Sequence, residues 1–328
     1  MKKDEITVRT ATPADNEAII ALELRSALVL GEAEELFDRS PDAFACCRVQ
    51  DGCRVIVGEL EGRVVGLLAG VMFRPMLSGT ARSLVYIHRA RVDPEYQGRG
   101  VGMALSTELF RWCAESGGAG PCYAIAPGNT PSLTFVERGG GRWPRDLSLL
   151  EIDVSEAPEA SVEHLFDDQW PAAVDLTNAT HDGEDFFEPL SVDALRRRLW
   201  RDAAYTRESL RGVFDASKLV AVGGVVDKGR YTERIRIDRA TGQEKRTRGA
   251  AVVDWGFAPG HEESFAQLLG VLAADARALG RKSLTICEPQ PGSIEPALPH
   301  KRSAIALFTP SLGAPGAVDG LYFDLLNL

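Results

Sequence analysis

The chain of 328 residues has no apolar run long enough to cross a bilayer as a helix. Its longest, Val64–Phe73 and Leu219–Val226, fall well short of the roughly 20 residues required. An excess of positive charge is also missing. Lys and Arg number 37 against 47 Asp and Glu, a formal net charge of −10. Bulk charge therefore gives no support to nucleic-acid or anionic-membrane binding. Residues 1–20 open with Met1-Lys2-Lys3 and turn polar and acidic without a signal-type hydrophobic stretch, so a cytoplasmic protein is expected. Cysteine is present, but not in a useful pattern. None of the six forms a C-x-x-C pair and five lie in the first half, which suits neither a disulfide framework nor a zinc site. Free thiols in a reducing compartment are expected. The five histidines are scattered, and no metal is expected.

What is present is ordinary for a globular chain: 45% hydrophobic and 26% charged residues, at a length that suggests two domains. The first half alternates strands and helices. The spacing predicts a strand at Ile6–Arg9 and helices over Pro13–Arg25 and Pro41–Val49. A hairpin follows over Val55–Leu60 and Arg63–Phe73, then a strand at Leu84–Val92. A helix at Gly102–Ser116, a strand at Cys122–Ala126, a helix at Pro131–Arg138 and a strand at Leu147–Val154 complete the half. Ser155–Ser161 reads as a linker between a domain at 1–155 and another at 160–328. Beyond it the order nearly repeats. Helices are expected at Trp170–Asn178, Ser191–Trp200 and Glu262–Leu279. Strands are expected at Arg211–Phe214, Leu219–Val226, Ala250–Ala258, Ser283–Cys287 and Leu321–Leu326. The fold class is α/β with mixed sheets.

Chemistry concentrates in Val92-Asp93-Pro94-Glu95-Tyr96-Gln97-Gly98-Arg99-Gly100-Val101-Gly102. A strand ends, a glycine-rich loop follows, and a helix starts at once. Glycines let the backbone approach an anion closely. The first helical amides lack intrahelical acceptors, and the helix dipole favours negative charge there. This is a pyrophosphate cradle with Arg99 at its rim. A P-loop is excluded because no Lys-Ser/Thr follows. The spacing and the preceding hairpin do not fit a Rossmann fingerprint.

Gln97-x-x-Gly100-x-Gly102 after a strand resembles the acetyl-CoA loop of the GNAT superfamily of N-acetyltransferases. Arg9–Asp15 resembles the family's opening strand and helix start, and Asn129–Gly140 its second segment, so the resemblance covers about residues 5–154. It implies acetyl-CoA as cofactor, no metal, and a small-molecule amine as acceptor. It also implies that the fourth and fifth strands splay to admit the pantetheine arm. Cofactor contacts are then expected from Ala90, Arg91, Val92, Gln97, Gly98, Arg99, Gly100, Val101, Gly102, Asn129 and Ser132. The implied reaction is direct attack of a deprotonated amine on the thioester, which needs a base and is helped by an acid. Simple alternation puts Tyr86, His88 and Ala90 on one strand face and Ile87, Arg89 and Arg91 on the other. His88 is the expected base and Tyr86 the second choice. The family's usual acid, a tyrosine seven residues after the asparagine, is Val136 here. Tyr96 and Tyr123 are the other phenols in view.

The second half resembles a degenerate GNAT-like copy. Its loop, Ala258-Pro259-Gly260-His261-Glu262-Glu263, has one glycine and two carboxylates, so no CoA is expected there. Two charged stretches remain. Glu32, Glu34, Glu35 and Asp38 either attract a cationic amine or form a solvated face. The basic Lys228–Arg248 hairpin either docks RNA or is a solvated ribbon. That leaves two alternatives to acetyl transfer: acyl or aminoacyl transfer from a tRNA-like carrier, and a non-catalytic CoA-sensing module. No membrane partner is expected, and the oligomeric state is left open.

Overall fold

Leu, Val and Ile alternate or run continuously through the segments that become strands, and the helices carry one apolar face each. The two patterns meet in one mixed sheet with helices on both sides. The computed structural model describes residues 6–138, 141–158, 162–310 and 321–323. The first half contains β1 (Thr7–Thr10), α1 (Asn16–Arg25), β2 (Leu28–Leu30), β3 (Ala33–Asp38), α2 (Ala45–Arg48), β4 (Cys53–Leu60) and β5 (Arg63–Phe73). A short ladder of β6 (Met76–Leu77) and β7 (Thr80–Ala81) leads to β8 (Leu84–Val92), α3 (Val101–Glu115), β9 (Gly120–Ile125), α4 (Thr130–Arg138) and β10 (Gly141–Asp153). The second half contains α5 (Trp170–Thr180), α6 (Val192–Arg201), β11 (Leu210–Asp215), β12 (Lys218–Val226), β13 (Glu233–Asp238) and β14 (Glu244–Thr247). It closes with β15 (Ala250–Phe257), α7 (Glu262–Ala278), β16 (Ser283–Glu288) and β17 (His300–Pro310).

Eleven strands form one sheet in the order β1-β4-β5-β8-β9-β17-β10-β16-β15-β12-β11. Read inward from each end, β4-β5-β8-β9 of the first half mirrors β11-β12-β15-β16 of the second. The two central strands are exchanged. β17, from the second half, pairs with β9 (Ala306↔Ile125), and β10, from the first, pairs with β16 (Ile152↔Leu284). β10 and β17 then pair with each other, Leu149 opposite Ser303. The sheet is continuous across the 155–161 stretch that reads as a linker.

Several expectations change. β17 was not foreseen, and β10 starts earlier than Leu147. The helix expected over Pro41–Val49 shrinks to Ala45–Arg48, preceded by a turn. The stretch between the first two helices holds β2 and β3, which join β13 and β14 in a second sheet ordered β14-β13-β3-β2. Of the strand expected at Leu321–Leu326, only 321–323 are described, where Leu321 makes an isolated bridge to Asp185. Six free thiols were expected, but Cys47 and Cys53 are joined in a disulfide. The end of α2 and the start of β4 bring their Cα atoms to 5.4 Å, within bridging distance.

Candidate active site at the first fork

β8 and β9 run parallel only from Leu84↔Gly120 to Ile87↔Tyr123. β8 then continues to Val92 and β9 ends at Ile125, so the strands part beyond that rung. Just past the fork the register against β5 slips between Ala69↔His88 and Leu67↔Arg91, and Arg89 adopts φ +57°. This is a β-bulge, which inserts one extra residue and resets alternation. Val85, Ile87 and Val92 pack with Val101, Leu105 and Leu109 of α3. Arg89 reaches Glu23 of α1, and Arg91 lies over the Phe37 ring of β3. The face assignment from simple alternation is therefore corrected: Arg89 and Arg91 leave the Ile87 face, and Ala90 stands exposed between them.

The glycine-rich loop lies between the end of β8 and the start of α3. Asp93 opens the loop and accepts a hydrogen bond from the Glu95 amide at 3.1 Å. Arg25 (2.8 Å) and Arg63 (3.2 Å) hold its other carboxylate oxygen. Burial alone would raise the Asp93 pKa, but the hydrogen bonds from Arg25 and the Glu95 amide, with the charges of Arg25 and Arg63, outweigh it and hold the group below its usual range. Gly98 and Gly100 have φ of +74° and +89°, and Gly100 caps α3. A Cβ on either would meet nothing within 4 Å, so the space above the loop is open. The first intrahelical bond runs from the Ala104 amide to the Gly100 carbonyl, leaving the amides of Val101, Gly102 and Met103 without intrahelical acceptors. Gly66 of β5 sets the height of this helix end: a Cβ there would lie 2.5 Å from Val101 Cγ1. Arg99 is exposed and lies over the Tyr96 ring, and Gln97 Nε2 reaches the Val92 carbonyl at 3.5 Å. The open glycines, the free amides and Arg99 fit a pyrophosphate.

Asn129 is buried and caps α4, its Oδ1 accepting from the Ser132 amide at 3.3 Å. Val136 packs into a small core with Ile125, Ala306 and Phe308. Tyr123 stands on the last rung of the fork, and burial raises its pKa, so it keeps its proton.

His88 is the first residue past the fork. Its ring stacks on Tyr86 at 5.6 Å, and its Nε2 is buried without a hydrogen-bond partner. Burial, then the charges of Arg89, Arg39 and Lys228, push its pKa well below the ordinary value, so it is a neutral imidazole at neutral pH. Tyr86 is enclosed, with Phe323 4.9 Å away, and burial raises its pKa. A phenol that holds its proton this firmly is poorly suited to act as a base. The donor atoms of Cys47, Cys53 and His88 converge within 4.8 Å, a grouping that sequence spacing does not reveal. Both sulfurs are spent on each other, and the three cations around His88 oppose a divalent metal.

Behind His88 lies a buried ionic cluster that sequence reading missed. Glu23, 0% exposed, takes a fork of bonds from Arg89 (3.1 and 2.9 Å) and a contact from Arg39 at 2.5 Å. Burial would raise the Glu23 pKa, but the charges of Arg39 and Arg89 prevail and lower it. The two charged stretches singled out in the sequence meet each other. β13 pairs with β3, and Arg236 binds Glu35 at 3.0 Å while Arg239 approaches Glu34 at 3.6 Å. Arg246 and Arg248 both bind Glu233 at 3.1 Å. Most of the hairpin's charge is thus matched within the chain, which weakens both the RNA-docking and the amine-attracting readings of these stretches.

The second half builds a second fork. β15 pairs with β16 only at Ala250↔Leu284 and Ala251↔Thr285, and a bulge follows with Asp254 at φ +49°. A cavity of about 340 Å³ opens there, lined by residues including Asp182, Glu184, Trp255, Phe257 and Gln290. The His181–Glu188 stretch lines it and is also anchored by buried Phe186 and Phe187. The loop before α7 is short, and the Gly260 amide donates to Glu262 at 3.2 Å. Gly260 is also left-handed, at φ +82°, with open space above it, but its amide is engaged by a carboxylate of the chain itself.

A forked mixed sheet with a glycine-capped helix after its fourth long strand defines the GNAT acyltransferase fold. Residues 18–140 match the model of the "Acetyltransferase (GNAT) family". Over 90 residues, 27% of the chain, it is 34% identical to glucosamine 6-phosphate N-acetyltransferase of Trypanosoma brucei brucei. The match spans 58% of that enzyme's length. The whole architecture is similar to a GCN5-related N-acetyltransferase from Sphaerobacter thermophilus, with TM-score 0.63, 14% identity and 99% of each chain covered. It is also similar to Saccharomyces cerevisiae N-myristoyltransferase bound to myristoyl-CoA, with TM-score 0.65, 8% identity, and 93% of this chain and 82% of that one covered. Among the described residues, no helix is long and apolar enough to cross a membrane.

Proposed function

We propose that the chain is an N-acetyltransferase that uses acetyl-CoA to acetylate a small primary amine. The observation that carries this is the open Gly98–Gly102 loop at the N-terminus of α3, next to a fork that frees the β8 backbone from Ala90 to Val92. The amides of Val101, Gly102 and Met103 and the Arg99 guanidinium would hold the pyrophosphate. The β8 backbone and the Asn129–Ser132 turn would hold the arm. When bound, the thioester supplies an activated acyl carbon.

The chain's own part is to orient the amine and move its protons. His88, neutral and placed just past the fork, takes the proton from the attacking amine, directly or through water. Tyr123, which keeps its proton, stands on the last rung and is the donor to the departing sulfur in place of the usual tyrosine, whose position Val136 fills. The curated relative is an N-acetyltransferase of an amino-sugar phosphate, which supports an amine acceptor. The second half, whose own loop has one glycine and an amide already engaged by Glu262, serves the acceptor side and the sheet. The test is a thiol-release assay with acetyl-CoA over a panel of amines, alongside calorimetry of CoA. One CoA per chain and amine-dependent thiol release are expected. No CoA binding, or two sites per chain, would overturn the reading.

A further inference from the structure

Arg91 is 9% exposed, yet no carboxylate lies within ion-pairing distance of it among the described residues. Its one hydrogen bond is to the Ala90 carbonyl at 2.7 Å, and its Nε has none. The Phe37 ring 5.3 Å away compensates only in part, since a cation–π contact contributes about 0.5–2 kcal/mol. Beside it, Arg39 also has a buried Nε without a partner. The local charge does not balance. Among the described residues, Arg39, Arg89 and Arg91 share the carboxylate of Glu23, Arg89 also reaches Cys46 Sγ at 3.6 Å, and the next carboxylate, Glu35, is taken by Arg236. Burial, with the nearby guanidinia of Arg39 and Arg89, brings Arg91 down to about 10 against the opposing charges of Glu23 and Glu35, so it is still charged at neutral pH. An arginine held charged, buried and unpaired is costly to the fold.

The position of this charge is specific. Arg91 belongs to the freed stretch of β8 beside exposed Ala90, three residues past His88. Its side chain faces β3, while the glycine cradle belongs to the α3 side of the sheet. The donor phosphates and this cluster are therefore on different sides of β8. We propose that Arg91, with Arg39, receives an oxyanion carried by the acceptor amine, a carboxylate or a phosphate, so that acceptors are acidic amines rather than simple ones. This rests on the acyltransferase reading above. The planar guanidinium suits either oxyanion, because it offers paired donors.

The test uses the full chain saturated with CoA, so that the cradle is filled, and inorganic phosphate as the probe in calorimetry. Wild type is expected to bind phosphate. Arg91→Met and Arg39→Met are expected to weaken it about tenfold to a hundredfold, the scale of a charge-assisted bond. Arg91→Lys, which keeps the charge but loses the fork, should fall between. Arg91→Met should also raise Tm, because it removes an unpaired buried charge, and its failure to fold would count against the proposal. Paired acceptors separate the two sources: glucosamine 6-phosphate against glucosamine, and an amino acid against its decarboxylated amine. The anionic member of one pair should have the higher kcat/KM, and Arg91→Met should abolish that preference mainly through KM. Equal phosphate affinity in wild type and both methionine variants, or no preference in either pair, overturns the proposal. If CoA does not bind, the acyltransferase reading fails by itself. The phosphate difference between wild type and Arg91→Met is then read in the CoA-free chain.

Discussion

The two forks share a backbone and differ in charge. Each has a parallel pair that separates after a few rungs and a bulge with positive φ just beyond, at Arg89 in one and Asp254 in the other. In each, the bulged side chain turns to a helix on the same side of the sheet. Arg89 meets Glu23 of α1, and Asp254 meets Arg198 of α6 and the Tyr205 hydroxyl at 2.9 Å. The sign of the buried charge is inverted between the copies. The loops differ in the same sense: the first has two left-handed glycines and the free first amides of α3, and the second has one left-handed glycine whose amide donates to Glu262. A fold can keep the geometry of a site while one copy gives up its ligand, because backbone shape is set by sheet pairing and ligand preference by a few charges.

The largest effect expected concerns whether either copy stands alone. A chain of residues 1–155 leaves β9 without β17, and β10 without both neighbours. It should be insoluble or unfolded by circular dichroism, and a well-folded half would break the view that the copies are interlocked. Next is the cradle. Gly100→Val places a β-branched residue at φ +89° and fills the open space above the loop. CoA binding by calorimetry should be lost, while Gly260→Val in the second loop should leave it intact. Loss in both would erase the contrast between the forks.

A smaller effect is expected at the base. His88→Ala should lower kcat about a hundredfold, the lower end for a positioned base, because a depressed pKa weakens it. In wild type the acidic limb of the pH–rate profile should lie below the ordinary histidine value of about 6.5, and the variant should lose it. An unchanged limb would make the histidine structural. The smallest effect is on acid stability. Glu23 and Asp93 are both held below their usual pKa in the folded chain. Their contribution is therefore complete above the unfolded carboxylate range near pH 4 and is lost as pH falls through the lower folded values. Glu23→Gln should flatten the dependence of Tm on pH in that window, and unchanged slopes would deny the pairing its role.

The cradle was legible because its signal is local: glycines, a helix start and a strand end lie within a dozen residues. The features that were missed are non-local or depend on dihedral angles. β17 begins His300-Lys301-Arg302-Ser303, a polar stretch that becomes a strand only because β10 offers an edge. The bulge at Arg89 has no glycine or asparagine to mark it, so alternation put Arg91 on the wrong face and hid the ionic cluster. The acidic stretch at Glu32–Asp38 and the basic hairpin at Lys228–Arg248 lie some two hundred residues apart, and each looks like a solvated surface until β3 and β13 are paired.

The exchanged strands also set a schedule for synthesis. Ile125 of β9 finds its partner in Ala306 of β17, 306 − 125 = 181 residues later. At roughly 5–20 residues per second, a ribosome takes about ten to forty seconds to cover that distance. Throughout that interval β9, one wall of the first fork, has an open edge, the kind of surface that pairs with other chains. The first half therefore depends on the second for its completion as well as its final shape. A pause in translation between residues 160 and 300 should raise aggregation of the nascent chain, although no residue of the candidate site has changed.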